Sequence, residues 1–471
     1  MPKPTTQHTC TSCGHVEARW VGKCPGCSAY NTMEEGPAAA SGSGPRPMGA
    51  APSQRAPGAR RSPVVLSSQR LNQRTAPPAR HTTGHPELDR ALGGGLVEAS
   101  VVLIGGDPGI GKSTLLLQLA AAASRDRQVV YISGEESQDQ VQLRAQRLGV
   151  ADSEVDLITT NDCLAVADHI ESLAPGSIVI VDSVQVMNAG ADSAPGSVTQ
   201  VKLSAAHLIP AAKNAGVSLI LVSHVTKEGS LAGPNVLKHA VDATIYVEAD
   251  SSAGLYRLVR AEKNRFGPAN EVGVFEMTDT GMIDVANPSE VFIAQRDATA
   301  FGTVIYPSLE GTRPLLLEVQ ALVAPTAFGT GRRSATGWDA NRLNMLLATI
   351  SARLGLSLVE SDIYVNVAGG LKITDPAMDL AVAAAIISAK SQTAIPADMA
   401  IFGEIGLSGE VRSSSRAEAR IREAAQLGLH KIICPEVRDL SRMPGSANCT
   451  QIKKLSQIFR ALPEIKEAYA A

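Results

Sequence analysis

The chain has 471 residues, 44% of them hydrophobic, 19% charged and 3% aromatic, with a formal net charge of −3. That length exceeds one hydrophobic core and calls for roughly three domains. The near-neutral charge excludes a uniformly basic, histone-like binder and the scarcity of aromatics argues against extensive base stacking, while a local cationic channel for nucleic acid remains open.

Residues 1–35 carry Cys10-x-x-Cys13 and Cys24-x-x-Cys27, four of the chain's seven cysteines, together with Trp20 and Tyr30. Two such pairs, ten residues apart, set four thiolates on two tight turns and complete a tetrahedral shell for one Zn²⁺. With every ligand supplied by protein, the zinc is expected to be structural. Thiols crowded in this way point to metal ligation in a reducing compartment. No apolar run approaches the ~18 residues of a membrane span, and the first thirty residues lack a signal-peptide pattern. A cytoplasmic protein with no membrane contact is expected. Cys163, Cys434 and Cys449 belong to no such C-x-x-C pair and read as buried small hydrophobes.

Residues 36–80 hold seven Arg, no Lys and no acidic residue amid Gly, Pro, Ala and Ser. This composition cannot bury a core and reads as a flexible cationic linker, a solvated tether in preference to a DNA-binding arm.

Residues 81–290 alternate apolar runs with helical stretches. Ser100–Gly105, Gln128–Ser133, Ser177–Asp182 and Ser218–Ser223 read as buried parallel strands of an α/β sheet. Gly106, Asp107, Pro108, Gly109, Ile110, Gly111, Lys112, Ser113 and Thr114 satisfy G-x-x-x-x-G-K-[ST] between the first strand and a helix expected over Thr114–Ala123. The loop's backbone N–H groups would cradle the phosphates of ATP at the positive end of the helix dipole. Lys112 would reach the β/γ oxygens and Ser113 would ligate Mg²⁺. Asp182, ending an apolar strand about seventy residues later, stands where a second Mg²⁺-holding group belongs. Glu135 and Glu136 follow the strand after the loop helix, and on position alone either could activate water. Ser223 and His224, at the end of SLILVS, are candidates for sensing the γ-phosphate.

Residues 291–471 form a second α/β region with helices expected over 339–354 and 415–428.

Several strings together resemble one family. GGDPGIGKST, the paired C-x2-C module, GHPELDRALGGGLV, SHVTKEGSLAGPNVLKHAVD, and above all Lys263-Asn264-Arg265-Phe266-Gly267 are similar to those of the bacterial RadA/Sms DNA-repair ATPases, over the whole chain. The resemblance implies a RecA-like P-loop core between an N-terminal C4 zinc ribbon and a C-terminal Lon-protease-like α/β domain. It implies a DNA-dependent ATPase related to DnaB-type helicases, assembled as a homohexamer. This motor would act on single-stranded and branched DNA, promote branch migration after strand exchange by its partner RecA, and associate with the nucleoid. It favours Glu135 as the water-activating carboxylate.

Lys263 and Arg265 resemble the paired fingers that such hexamers insert into a neighbour's ATP site. Two residues apart on an extended segment, they are expected to project to one side. By analogy, residues 187–204 and 225–239 face the ring's channel, with Lys202, Lys227 and Lys238 as contacts for the DNA backbone.

In the C-terminal region FGEIGLSGEV resembles a Lon motif, and Asp375-Pro-Ala-Met-Asp-Leu380 lies where Lon carries its nucleophile. Alignment places Ala377 at the serine position and Glu418 at the lysine position, so the catalytic dyad is expected to be lost. Two alternatives compete with the DNA motor. A KaiC-type signalling ATPase would be expected to duplicate the phosphate loop, of which one copy is present. An ATP-dependent protease would need the missing dyad.

Overall fold

A computed structural model describes residues 6–11, 15–17, 19–25, 29–30, 32–37, 78–190, 193–194, 196–224, 234–249, 255–294, 296–297, 299–326, 331–438, 440 and 449–470. At the N-terminus three short antiparallel strands, Thr6–Cys10, Val16–Glu17 and Met33–Pro37, form one small sheet.

The next region is organised by a nine-stranded sheet. Its elements are β1 (Val101–Gly106), α1 (Lys112–Ala123), β2 (Val129–Ser133), α2 (Gln138–Arg147), β3 (Val155–Thr159), α3 (Cys163–Ser172) and β4 (Ile178–Asp182). They continue through α4 (Val198–Ala215), β5 (Ser218–His224), β6 (Ala243–Ala249), β7 (Tyr256–Asn264), β8 (Val272–Thr278) and β9 (Gly281–Asp284). The strand order is β9-β8-β7-β6-β1-β5-β4-β2-β3. The strands from β6 to β3 pair in parallel, and β7, β8 and β9 add an antiparallel edge.

The apolar runs explain this sheet. Successive side chains of a strand point to opposite faces, so a strand covered on both faces must be apolar throughout. In β1, Val102 and Ile104 join one hydrophobic cluster while Val101 and Leu103 join another on the opposite face. The four expected strands lie within a residue of their observed bounds, whereas α1 starts at Lys112, two residues before the expected Thr114. Gly111 precedes it with φ 113°, a conformation that carries the loop straight into the helix.

A seven-stranded sheet forms the C-terminal region. It comprises β10 (Thr303–Glu310), β11 (Arg313–Pro325), β12 (Arg333–Thr336), β13 (Ser361–Val367), β14 (Met399–Ile401), β15 (Lys431–Cys434) and β16 (Cys449–Gln451). The order is β12-β13-β11-β10-β14-β15-β16. Its longest helices among the described residues are α5 (Ala340–Leu354), α6 (Asp379–Ser391) and α7 (Ala417–Gln426). α6 is buried from Asp379 to Ala389, which accounts for its unbroken Ala/Val/Ile sequence. Leu258, Val272 and Val274 of the central sheet belong to the same cluster as this region, so the two sheets share one core. Arg313 paired with Glu87 and Arg260 paired with Glu310 at 2.6 Å reinforce the junction.

Two expectations change. Arg265 lies past the end of β7, which stops at Asn264, so only Lys263 of the pair is a strand residue. Cys449, expected to be buried, is half-buried, and its thiol is hydrogen-bonded to that of the buried Cys434 across neighbouring strands.

Candidate nucleotide site

The candidate nucleotide-site residues gather at the carboxyl ends of β1, β2, β4 and β5, where open α/β sheets bind their ligands. β5 lies between the phosphate-loop strand β1 and β4. Pro108, Gly109, Gly111, Lys112, Ser113, Thr114, Glu135, Asp182 and His224 all line one cleft of about 400 Å³. The chain has to bend sharply as it leaves β1. Gly106 has φ 153°, and a Cβ there would come within 2.5 Å of the Val247 carbonyl oxygen.

Lys112 is buried, and its Nζ donates to the carbonyls of Gly106 at 2.8 Å and Asp107 at 2.9 Å and to His224 Nδ1 at 3.1 Å. Burial lowers its pKa to about 8, against the opposing pull of the Asp182, Asp107 and Glu135 carboxylates. Because Lys112 donates to Nδ1, His224 carries its proton on Nε2, which faces Glu135 Oε1 at 3.3 Å. This contact is a close approach and not a well-formed hydrogen bond. The same Glu135 oxygen accepts from Ser183 Oγ at 2.5 Å. His224 foremost, then Ser183 and the Lys112 charge, hold Glu135 below the ordinary carboxylate range despite its partial burial. A carboxylate kept ionised beside the phosphate loop can accept a proton from water.

Glu136 is differently employed. Both of its oxygens are taken by Arg144, at 2.5 and 2.6 Å, and its backbone N–H donates to Ser133 Oγ. Asp182 is buried at the tip of β4 and accepts from Tyr131 Oη at 2.6 Å. Ser113 and Asp182 line the same cleft, a hydroxyl and a carboxylate suited to Mg²⁺. Ser223 Oγ is buried without a hydrogen-bond partner among the described residues.

Sequence reading missed Ser183, Arg144, Tyr131 and Gln185. Gln185 accepts from the His224 N–H at 2.7 Å and donates to the His224 carbonyl at 3.0 Å. None of the four lies within a phosphate-binding pattern, and only their position beside β2 and β4 could have drawn notice.

The Lys263–Gly267 string sits at the other end of the sheet. Lys263 Nζ donates to the carbonyls of Lys238 at 2.6 Å and Val241 at 2.7 Å. Burial, with the adjacent Arg265 charge, lowers its pKa. Asn264 donates to the Leu92 carbonyl, Phe266 N–H donates to Asn264, and Gly267 approaches Gly93 closely. Arg265 is 53% exposed and pairs with Asp242 at 3.2 Å. Of the candidate DNA contacts, Lys202 is exposed on α4, Lys238 pairs with Glu262 at 2.6 Å, and Lys227 lies outside the described residues.

In the N-terminal sheet Cys10 and Cys24 are buried together against Val21. Each opens a tight turn, Cys10 N–H donating to His15 O and Cys24 N–H to Ala29 O. Cys13 and Cys27 lie outside the described residues. The thiol pair in a two-turn scaffold fits a zinc ribbon.

In the C-terminal region Ala377 is buried in a turn whose N–H is held by Asp375, while Glu418 is exposed and pairs with Arg422 at 2.6 Å. The cation that reaches this turn is Arg420. It is fully buried and bonds Asp375, the Tyr306 hydroxyl at 3.1 Å and the Pro307 carbonyl at 2.6 Å.

Comparison with known proteins accords with this architecture. Residues 8–35 match the family described as rubredoxin metal binding domain, 68–230 the AAA domain, and 341–438 subunit ChlI of Mg-chelatase. The chain is 47% identical to the DNA repair protein RadA of Brucella abortus (strain 2308), covering 92% of each chain. It is 45% identical to the protein of that name from Bacillus subtilis (strain 168), covering 92% of this chain and 93% of the relative. It is 41% identical to the one from Listeria monocytogenes serovar 1/2a, covering 98% and 99%. Among solved structures, the RadB recombinase aligns at a TM-score of 0.36 and 21% identity, over 43% of this chain and 99% of its own. With these relatives matching at 41–47% identity over more than nine-tenths of each chain, the chain belongs to the RadA family of DNA repair proteins.

Proposed function

We propose that this chain is a DNA-dependent ATPase that works as a homohexameric motor on single-stranded and branched DNA, processing recombination intermediates by branch migration after RecA-mediated strand exchange. The observation that supports it most is the division of ATP chemistry between the two ends of one sheet. The phosphate loop, Glu135, Asp182 and His224 lie at the carboxyl ends of the parallel strands. Arg265 projects from the opposite end, more than half exposed. A cation so placed serves a nucleotide only by reaching a neighbouring subunit's site, as it would in a ring.

In this reading Glu135 takes a proton from water as its oxygen attacks the γ-phosphorus, and the bond to the β–γ bridging oxygen breaks. Lys112 and the N–H groups of the loop stabilise charge on the phosphoryl oxygens. Mg²⁺, held at Ser113 and Asp182, would neutralise phosphate charge. His224 contacts both Lys112 and Glu135, as a γ-phosphate sensor would. Lys263, anchored by two carbonyls, positions the turn that presents Arg265.

The four segments 1–35, 36–80, 81–290 and 291–471 would act as zinc module, linker, motor and assembly domain, in the cytoplasm and at the nucleoid. The zinc module would hold its ion through Cys10, Cys13, Cys24 and Cys27. The C-terminal region would not hydrolyse peptides, since Ala377 offers no nucleophile and Arg420, permanently charged, cannot serve as base. ATP turnover measured with and without single-stranded and branched DNA separates a DNA motor from a signalling ATPase.

A further inference from the structure

Asp182 through Gln185 is a short run that begins in the nucleotide cleft and contacts both Glu135 and His224. Asp182 ends β4 in the nucleotide cleft. Ser183 donates to Glu135, and Val184 N–H bonds the Val222 carbonyl of β5 at 3.0 Å. Gln185, half-buried, then clamps the backbone of His224 from both sides, its amide oxygen accepting from N–H at 2.7 Å and its amide nitrogen donating to C=O at 3.0 Å. The side-chain amide thus extends β5 by one residue pair, as a neighbouring strand would. The following residues are also fixed. A Cβ on Gly134, next to Glu135, would fall 2.4 Å from Val186 Cγ2 and 3.0 Å from Met187 Cε. Asn188 exchanges backbone bonds with Asn161 and Cys163.

His224 is the last residue of β5, where a ladder would fray without the Gln185 clamp. Among the described residues its ring is held by Lys112 at Nδ1, and its Nε2 must stay within reach of Glu135 for the imidazole to couple the two. A two-point amide clamp on the backbone sets that reach.

We propose that Gln185 is a positioning residue for ATP hydrolysis, holding the His224 backbone so that its imidazole keeps Glu135 aligned for attack. The inference rests on the reading of this cleft as an ATPase site. Gln185 stands outside the lining of the nucleotide cleft, so its loss should act on turnover and spare binding. In Gln185→Ala kcat falls on the order of tenfold, about 1.4 kcal/mol of transition-state stabilisation, while nucleotide affinity changes less than about twofold.

A second variant gives a signature that mere structural damage does not. The carboxylate of Gln185→Glu can accept from the His224 N–H but repels its carbonyl, whereas the protonated acid both accepts and donates, as the amide does. The kcat ratio of Gln185→Glu to wild type, both full-length, should therefore rise as pH falls from about 8 to about 5.5. Titration of Glu135, His224, Lys112 and Asp182 is common to both proteins and divides out to first order. Three outcomes overturn the proposal: wild-type kcat in a folded Gln185→Ala, weaker nucleotide binding as its sole defect, or a flat ratio in Gln185→Glu. If Gln185→Ala fails to fold, the ratio alone decides. A wild-type chain that turns over no ATP would remove the ATPase reading itself, a failure distinct from these.

Discussion

Replacing Arg265 by alanine tests the division of labour between the ends of the sheet. Arg265 follows Asn264, which pairs with Ala243, and Ala243 pairs with Val102 of β1. The phosphate loop opens at Gly106, four positions further along β1, so strand rise alone separates the two by about 13 Å. That span exceeds an arginine side chain, and Arg265 cannot serve its own nucleotide. Its removal should cost little stability. Arg265 is itself more than half exposed, so its pairing with the buried Asp242 is screened on one side and worth on the order of 1 kcal/mol. Asp242 keeps its bonds from Val101 N–H at 3.0 Å and Lys213 at 3.2 Å. Turnover should fall on the order of 10³-fold, near 4 kcal/mol. The catalytic effect is thus several times the stability effect, and unfolding cannot mimic it. Lys112→Ala, in contrast, removes the phosphate contact and leaves its own Arg265 intact. When Arg265→Ala and Lys112→Ala subunits are allowed to exchange, some interfaces combine an intact loop with an intact arginine. Single-turnover hydrolysis should then return in mixtures whose mixed hexamers are seen by native mass spectrometry. Mixed hexamers that form without any recovery would refute the trans assignment.

Other expectations follow from the same geometry. Glu135→Gln should bind ATP with near-normal affinity yet turn over very slowly; near-normal turnover would shift the base to Glu136, despite its engagement with Arg144. Since Lys112 is depressed to about 8 by burial, it loses its charge as pH rises through that value, and ATP affinity should weaken there. Triphosphate favours the protonated amine, so calorimetry near pH 8 in buffers of different ionisation enthalpy should register proton uptake on binding. About one Zn²⁺ should copurify per chain and be lost from Cys24→Ser, whereas full retention would mean the two cysteine pairs do not share an ion.

The parts of this fold that sequence made legible are those in which one physical rule dominates. Short apolar runs rich in β-branched residues and bounded by turn signals fit strands covered on both faces, and the runs ending at Gly105, Ser133, Asp182 and Ser223 agree with the sheet to within a residue. The phosphate loop was equally plain, because its glycines and lysine are demanded by backbone geometry and charge. What stayed hidden depends on residues distant in sequence. Glu135 and Glu136 are neighbours in the chain, and they are distinguished by distant residues, Arg144 occupying Glu136 while Ser183 and His224 meet Glu135. Gln185 acts on His224 through a pairing 39 residues apart. Lys263 looked like a free cation, yet two carbonyls after residue 237 absorb its amine. Gapless alignment drew attention to Glu418, whereas the fold brings Arg420 to the Asp375–Ala377 turn, because a helix turns residues two apart to different faces.

The measurement that bears most directly on the account is steady-state ATP turnover of the full-length chain, titrated with single-stranded DNA, a four-way junction and no DNA, with Glu135→Gln as the baseline. A DNA motor should hydrolyse ATP slowly alone and severalfold faster with DNA, with the stimulation falling as salt rises, because phosphate contacts release counterions. Turnover that is robust but identical with and without DNA at every salt concentration would contradict the motor reading and leave a RecA-like ATPase that serves some other signal.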